Sequence, residues 1–331
     1  MDRVAIVATG GTIDHSYDPL ATKVTEPGHV VEMMIDEIAS SGETGADLTI
    51  DRWGSKSGPA LTPGDMIDIG ETVQRLGSAE DCSGVVVTTG TDMLEELTYV
   101  LSLVVDSAIP VAVTGAMRRH GEPGSDGAMN LRDAIAVVRS PRVPGFGALA
   151  VFGGAVHSAA EVTKIASHGL AAFSSDGGGS IGLISEGTLY LRGRAANGHY
   201  LGQPARALRA VDLVWMCAGA DSVQIEAAIA ARRAGIVVAG SGGGHVPPVM
   251  QEAIGRALSE GLQVVVASRC LSGVTLTETY GGPGSETELL ALGVVNAGRI
   301  SPIKARLRLI VGLASNMRAA DLFPVDNLGP L

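Results

Sequence analysis

The chain has 331 residues, 46 % apolar and 18 % charged, a balance too hydrophobic and too sparsely charged for an intrinsically disordered polypeptide. Its 24 Lys and Arg against 35 Asp and Glu give a net charge of −11. No basic run interrupts that balance, so neither a nucleic acid nor an anionic membrane surface is expected as a partner.

Short β-branched runs alternate with helical patterns along the first half. Val4–Ala8, Val85–Val87, Val111–Thr114 and Leu149–Phe152 read as strands, and their unbroken apolar character fits a parallel sheet covered on both faces. Helices are predicted over Gly64–Leu76, Met93–Val105 and Ser125–Val138. The alternation breaks over residues 176–210, where glycine-rich stretches suggest a loop, a hairpin and a linker. It restarts with strands at Val211–Met216, Ile236–Ala239 and Val264–Ala267 and helices at Ser222–Arg233, Pro248–Glu260 and Ile303–Leu313. The expected fold class is therefore α/β: a doubly wound parallel sheet in an N-terminal domain (1–195), a linker (196–210), and a smaller α/β domain (211–331).

The longest apolar region, Tyr99 to Met117, is interrupted by Asp106 and Pro110, which argues against a membrane span. The apolar run before Gly10 is too short for a signal peptide, and Cys82, Cys217 and Cys270 are too scattered for a disulfide framework or a zinc site. A cytoplasmic location is expected. His157, His168, His199 and His245 show no metal-ligand spacing, so no catalytic zinc is expected.

In an open parallel sheet, ligands bind beyond the carboxyl ends of the strands. Thr9-Gly10-Gly11-Thr12-Ile13 follows the first strand and Thr88-Thr89-Gly90-Thr91-Asp92 follows the second. Glycine allows backbone N–H groups to approach developing negative charge, and a neighbouring threonine hydroxyl can attack an acyl carbon if a base takes its proton. The loop after the first strand, ATGGTI, does not carry a GxGxxG fingerprint, and no Walker A sequence is present. Asp92 with Glu95 also reads as a capping box, Asp92 being the N-cap of the following helix. Lys164 alone reads as a solvated surface residue; buried beside Asp92, it would instead be a proton acceptor or electrostatic partner for Thr91. His15, close after Thr12, reads either as a base or as a mobile loop residue.

The segments ATGGTI, VVVTTGTDMLEE, VTGAMR, SDGAMNLRDA and EVTK, with SRCLSG and ISPIKARLRL further on, occur in the order and approximate spacing of the bacterial L-asparaginases, which the chain resembles over nearly its whole length. The resemblance implies a two-domain amidohydrolase without metal or organic cofactor, a small-molecule amide substrate, and a homo-oligomer, either dimer or tetramer. Thr12 matches the family's attacking threonine, and Thr91, Asp92 and Lys164 match its second catalytic group, so that either Thr12 Oγ or a water activated near Thr91 would attack the amide carbon. Asp92 would also hold the ammonium of an amino-acid substrate. Gly11 and Gly90 would supply backbone N–H groups to the substrate, and Ala116 a backbone contact to its amide.

Several segments depart from the family pattern. The tyrosine usually found in the N-terminal loop is missing from Lys23-Val24-Thr25-Glu26-Pro27, and Tyr17 is the candidate substitute. The substrate-carboxylate serine falls at Ser57 or Ser55, flanking an unexpected Lys56 that would either pair with that carboxylate or be solvated. Gly240–His245 replaces an Asn-bearing loop, and Glu278 is the loosely aligned candidate for an acid given to a neighbouring subunit. Two other readings stay open: the same threonine chemistry on another carboxamide, a lactam or a glutaminyl group, or a non-catalytic amino-acid sensor.

Overall fold

The computed structural model describes residues 2–18, 29–42, 45–175, 179–192 and 199–324. The chain divides into two compact units, Met1–Gly202 and Gln203–Leu331.

In the first unit the chain order is β1 (Arg3–Ala8), α1 (Val30–Ser41), β2 (Asp47–Arg52), α2 (Pro63–Gly77), β3 (Cys82–Thr88), α3 (Leu94–Val104), β4 (Val111–Thr114), α4 (Gly127–Val138) and β5 (Ala148–Phe152). There follow β6 (Ala155–Ser158), β7 (Val162–Lys164), β8 (Phe173–Ser175), β9 (Gly182–Ser185) and β10 (Thr188–Leu191). Eight strands form one sheet, ordered β10-β9-β6-β5-β4-β3-β1-β2. From β5 to β2 all pairs are parallel. This 2-1-3-4-5 order is the flavodoxin-like doubly wound arrangement, whose switch point lies between β1 and β3. The loops after those two strands, which carry Thr12 and Thr91, therefore flank the crevice where such sheets bind ligands.

The helices cover both faces. Alternate residues Val4, Ile6 and Ala8 of β1 join Met34 and Ile38 of α1 and Leu131 and Ile135 of α4 in one core. On α1 the buried positions Val30, Val31, Met34, Ile35 and Ile38 recur at helical spacing, and Gly42 ends the helix in the left-handed region at φ 70°. Thr62 opens α2 with a reciprocal capping box to Asp65, and Pro63 occupies the first turn.

The sheet is mixed: β9 and β10 form a hairpin within 176–210, and the sequence reading did not anticipate that β6 joins it to the parallel strands. β6, β9 and β10 run antiparallel to their neighbours. Gly153 and Gly154, both at positive φ, make a two-residue turn from β5 into β6. β7 and β8 form a separate two-stranded ribbon.

The second unit holds β11 (Val211–Trp215), α5 (Val223–Ala230), β12 (Gly235–Gly240), α6 (Pro248–Ser259), β13 (Gln263–Ser268), α7 (Glu286–Ala291), β14 (Val295–Asn296), α8 (Pro302–Ala314) and α9 (Ala319–Leu322). Its four strands are all parallel, in the order β11-β12-β13-β14. Ile225, Met250 and Ile254 pack with Ile236, Val238 and Val264 to form its core.

Candidate active site

Backbone hydrogen bonds bind the carboxyl ends of the central strands together. Thr9 donates to the Thr88 carbonyl from its N–H at 3.0 Å and its hydroxyl at 2.9 Å, and the Thr89 N–H donates to the Thr114 carbonyl at 2.9 Å. Past these anchors, four loops meet at glycines. Gly10 and Gly11 sit at φ 102° and 90°, where side chains are disfavoured. A methyl on Gly11 would lie 2.3 Å from Gly90 N, and one on Gly90 would lie 3.3 Å from Gly58 N. A methyl on Gly115 would lie 2.5 Å from the Thr89 carbonyl oxygen and 3.3 Å from Thr91 Cγ2. Thr12 and Thr91 each follow one of the two touching glycines, Gly11 and Gly90. Thr12 opens a one-turn helix, Thr12–Asp14, and is half-buried; Thr91 is buried.

Lys164, at the end of β7, reaches this place from 73 residues away. Its Nζ donates to Thr91 Oγ1 at 2.8 Å and to Asp92 Oδ1 at 2.7 Å, with only 13 % of its side chain exposed. The surface-residue reading of Lys164 is thus replaced by a buried stem with a fixed head. The capping-box reading of Asp92 is also corrected. Met93 occupies the N-cap position of α3, without a side-chain cap. Asp92 pairs with Lys164, and the Glu95 carboxylate accepts from the Lys164 N–H. A full ammonium is a stronger partner for the Asp92 carboxylate than two backbone N–H groups of an already hydrogen-bonded turn.

Ala116 is buried, and its loop is held from behind by α4. Asp126 accepts from the N–H groups of Met117 and Arg118, and Asn130 donates from Nδ2 to the Gly115 carbonyl at 3.0 Å while accepting from the Gly153 N–H. These two roles were missed in the sequence. The segment SDGAMN carries them, but only the fold brings Asn130 to Gly115.

His15 is half-buried. Its Nδ1 lies 2.7 Å from the Gly11 carbonyl oxygen, which can only accept, so Nδ1 carries the proton. Asp14 is fully buried; it pairs with Arg52 at 2.7 Å and accepts from the Val31 N–H at the start of α1. Arg52 also pairs with Glu32 at 2.6 Å, and the two carboxylates, Asp14 first, raise its pKa. Tyr17 is more than a third exposed. Its ring lies under the Arg119 guanidinium at 4.9 Å, its N–H donates to the His120 carbonyl, and among the described residues its hydroxyl makes no hydrogen bond with Thr12. The Lys23–Pro27 stretch lies outside the described residues.

Ser55, Lys56 and Ser57 are exposed along the continuation of β2, where the Lys56 N–H donates to the Thr9 carbonyl at 2.9 Å. The Lys56 ammonium pairs with Asp65 at 2.7 Å, so it is not simply solvated.

In the second unit Glu278 is exposed, whereas Glu286 is fully buried. Glu286 accepts from the N–H groups of Thr279 and Tyr280 and lies 2.8 Å from His245 Nε2. Burial raises its pKa, but these bonds outweigh that and hold it below the ordinary value. A hollow of about 460 Å³ beside them is bordered by His245, Leu276 and Tyr280. Among the described residues no three His, Cys, Asp or Glu side chains cluster as metal ligands, and no helix is long and apolar enough to cross a membrane.

The first unit is thus a doubly wound α/β unit with a lysine-held threonine at its switch point. Comparison with known proteins gives the family. The N-terminal asparaginase family model matches residues 3–197, and the glutaminase/asparaginase C-terminal domain model matches residues 210–322. The chain is 33 % identical over 317 residues to an L-asparaginase of Bacillus licheniformis, covering 95 % of this chain and 96 % of that one. It is 25 % identical to a glutaminase-asparaginase of Pseudomonas aeruginosa, over 97 % of this chain and 89 % of that one. It superposes on the crystal structure of a Campylobacter jejuni protein described as a probable cytoplasmic L-asparaginase, with a TM-score of 0.86, 28 % identity and 99 % of each chain covered. The chain belongs to the asparaginase family.

Proposed function

We propose that this protein hydrolyses L-asparagine to L-aspartate and ammonia, using threonine hydroxyls and no metal. The observation that carries the reading is Lys164 Nζ at 2.8 Å from Thr91 Oγ1 and 2.7 Å from Asp92. In this reading Thr12 attacks the amide carbon, and the Thr91–Lys164 pair handles the proton that leaves with ammonia. Water then cleaves the ester. The backbone N–H groups around Gly11–Thr12 and Gly90–Thr91 face the developing oxyanion, where one such donor contributes about 3 kcal/mol. Asp92 gives only Oδ1 to Lys164 among the described residues, which leaves Oδ2 for a substrate ammonium. Ser57 or Ser55 binds the substrate carboxylate, the Ala116 backbone meets the leaving amide, and Tyr17 closes over Thr12 when substrate is present.

The family membership and the L-asparaginase relatives support asparagine as the substrate. The test is ammonia release over a panel of asparagine, glutamine, other carboxamides and lactams. Asparagine is expected to give the highest kcat/KM. Turnover of another amide with none of asparagine would move the substrate assignment to that amide; stabilisation by aspartate with no turnover at all would make the protein a sensor. We further propose a cytoplasmic homo-oligomer, dimer or tetramer. Cell fractionation and light scattering check those two points.

A further inference from the structure

We propose that His157 is a positioning residue for Lys164, acting through Ser175; this rests on the reading of Lys164 as part of the catalytic group. Lys164 ends a ribbon of only three residue pairs, Val162–Ser175, Thr163–Ser174 and Lys164–Phe173, outside the eight-stranded sheet. Two-stranded ribbons are marginal on their own. The position of the Lys164 head therefore depends on what ties the ribbon down.

Among the described residues, three ties stand out. The Glu95 carboxylate accepts from the Lys164 N–H. The Phe173 ring, across from Lys164, packs on Phe152 of β5 at 4.9 Å between centroids. The third is polar and buried: His157 Nδ1, on β6, lies 2.8 Å from Ser175 Oγ. His157 is 4 % exposed and Ser175 8 %. β6 is itself paired with β5, so this bond joins the ribbon to the sheet that carries the site. Ser175 stands opposite Val162, two residues before Lys164. With the His157–Ser175 bond gone, a buried hydroxyl or ring nitrogen is left unmet and the ribbon can slide. A shift of about 1 Å at a catalytic group can cost on the order of a hundredfold in rate.

The test uses the full-length enzyme. His157→Leu and Ser175→Ala each remove the bond from one side, and His157→Asn keeps a polar atom near the Nδ1 position. With asparagine, each removing variant is expected to lower kcat about ten- to a hundredfold while KM changes less than about threefold, and His157→Asn to recover most of the loss. In a Lys164→Ala background His157→Leu is expected to add no further loss. An independent readout needs no activity. The chain has only four lysines, so ¹³C-lysine labelling gives a simple spectrum in which Lys164→Arg identifies the Lys164 signal. His157→Leu is expected to move that signal and leave those of Lys56 and Lys304 in place. If His157→Leu only lowers the melting temperature, with kcat and the Lys164 signal unchanged, or lowers kcat equally without Lys164, the proposal is overturned. If His157→Leu fails to fold, Ser175→Ala decides on the same criteria. Should the wild type release ammonia from no amide, the asparaginase reading fails, while the Lys164 signal still decides the positioning role.

Discussion

Gly11 and Gly90 touch backbone to backbone, so closely that a methyl group on Gly11 would lie 2.3 Å from Gly90 N and 2.4 Å from Gly90 Cα. That contact brings the two threonine loops to one crevice. Gly11→Ala would meet backbone that cannot turn aside, at φ 90°, where a side chain is also strained by about 1–3 kcal/mol. The expected outcome is a soluble protein of lower melting temperature whose ammonia release falls at least about a hundredfold. Near-normal kcat in Gly11→Ala would mean that the loops need not meet.

Lys164→Met separates catalysis from stability. The ion pair with Asp92 is open to water, since the Asp92 side chain is 61 % exposed, so its loss costs only about 0–1 kcal/mol. Loss of a proton-handling group costs about 10²–10⁴-fold in rate. Calorimetry and steady-state kinetics on the same preparation are expected to show a melting temperature within a few degrees of wild type and a collapsed kcat. A large stability loss with modest kinetic change would make Lys164 a structural residue.

The parallel core was legible in the sequence because the buried runs of strands such as β1 and β3 have no polar alternation to obscure them. The two glycine–threonine loops were legible for a related reason: a residue directly after a parallel strand has its place fixed by topology. β2 was not, because DLTIDR is an edge strand with a polar composition and no fully buried position. β6 was missed although its signal was present, as Gly153-Gly154 between two apolar runs marks a hairpin. The partners of Lys164 lie beyond any sequence spacing, since 73 residues separate it from Thr91 and the ribbon that aims it is three pairs long. Asp126 and Asn130 show the same limit: the residues stand in the motif, but their partners Gly115, Met117, Arg118 and Gly153 sit in the loops after β4 and β5.

His157 sets a pH dependence of stability. Burial lowers its pKa from 6.5 to about 4. In the unfolded chain it takes a proton near pH 6.5; in the folded chain it refuses one until about pH 4, so the unfolded state binds more protons over that window. Its contribution is fully present above the unfolded value and is lost as pH falls through the window, up to about 3 kcal/mol in all. Denaturant unfolding at pH 7.5, 6.0, 5.0 and 4.5 is expected to show a steeper decline for wild type than for His157→Asn, which does not titrate. Parallel declines would place the acid sensitivity elsewhere.

Arg52 stands between two carboxylates, and removing it tests how the Thr12 turn is anchored. Asp14 has no exposed surface, so Arg52→Met leaves its charge buried with the Val31 N–H as its remaining donor among the described residues. Breaking a buried pair costs about 3–5 kcal/mol, and the 28 % exposure of the Arg52 side chain puts this case at the lower end of that range. Arg52→Lys is expected to recover only part, because an ammonium cannot present the planar fork that serves Asp14 and Glu32 together. By contrast Arg3→Met, which breaks the surface pair with the exposed Asp81, should leave the melting temperature nearly unchanged. Since Asp14 closes the turn that Thr12 opens, Arg52→Met is also expected to lower kcat, and by more than Arg52→Lys. Equal melting temperatures for Arg52→Met and Arg3→Met would show that the Asp14–Arg52 pair is not what anchors the Thr12 turn, and that the turn is held by its backbone alone.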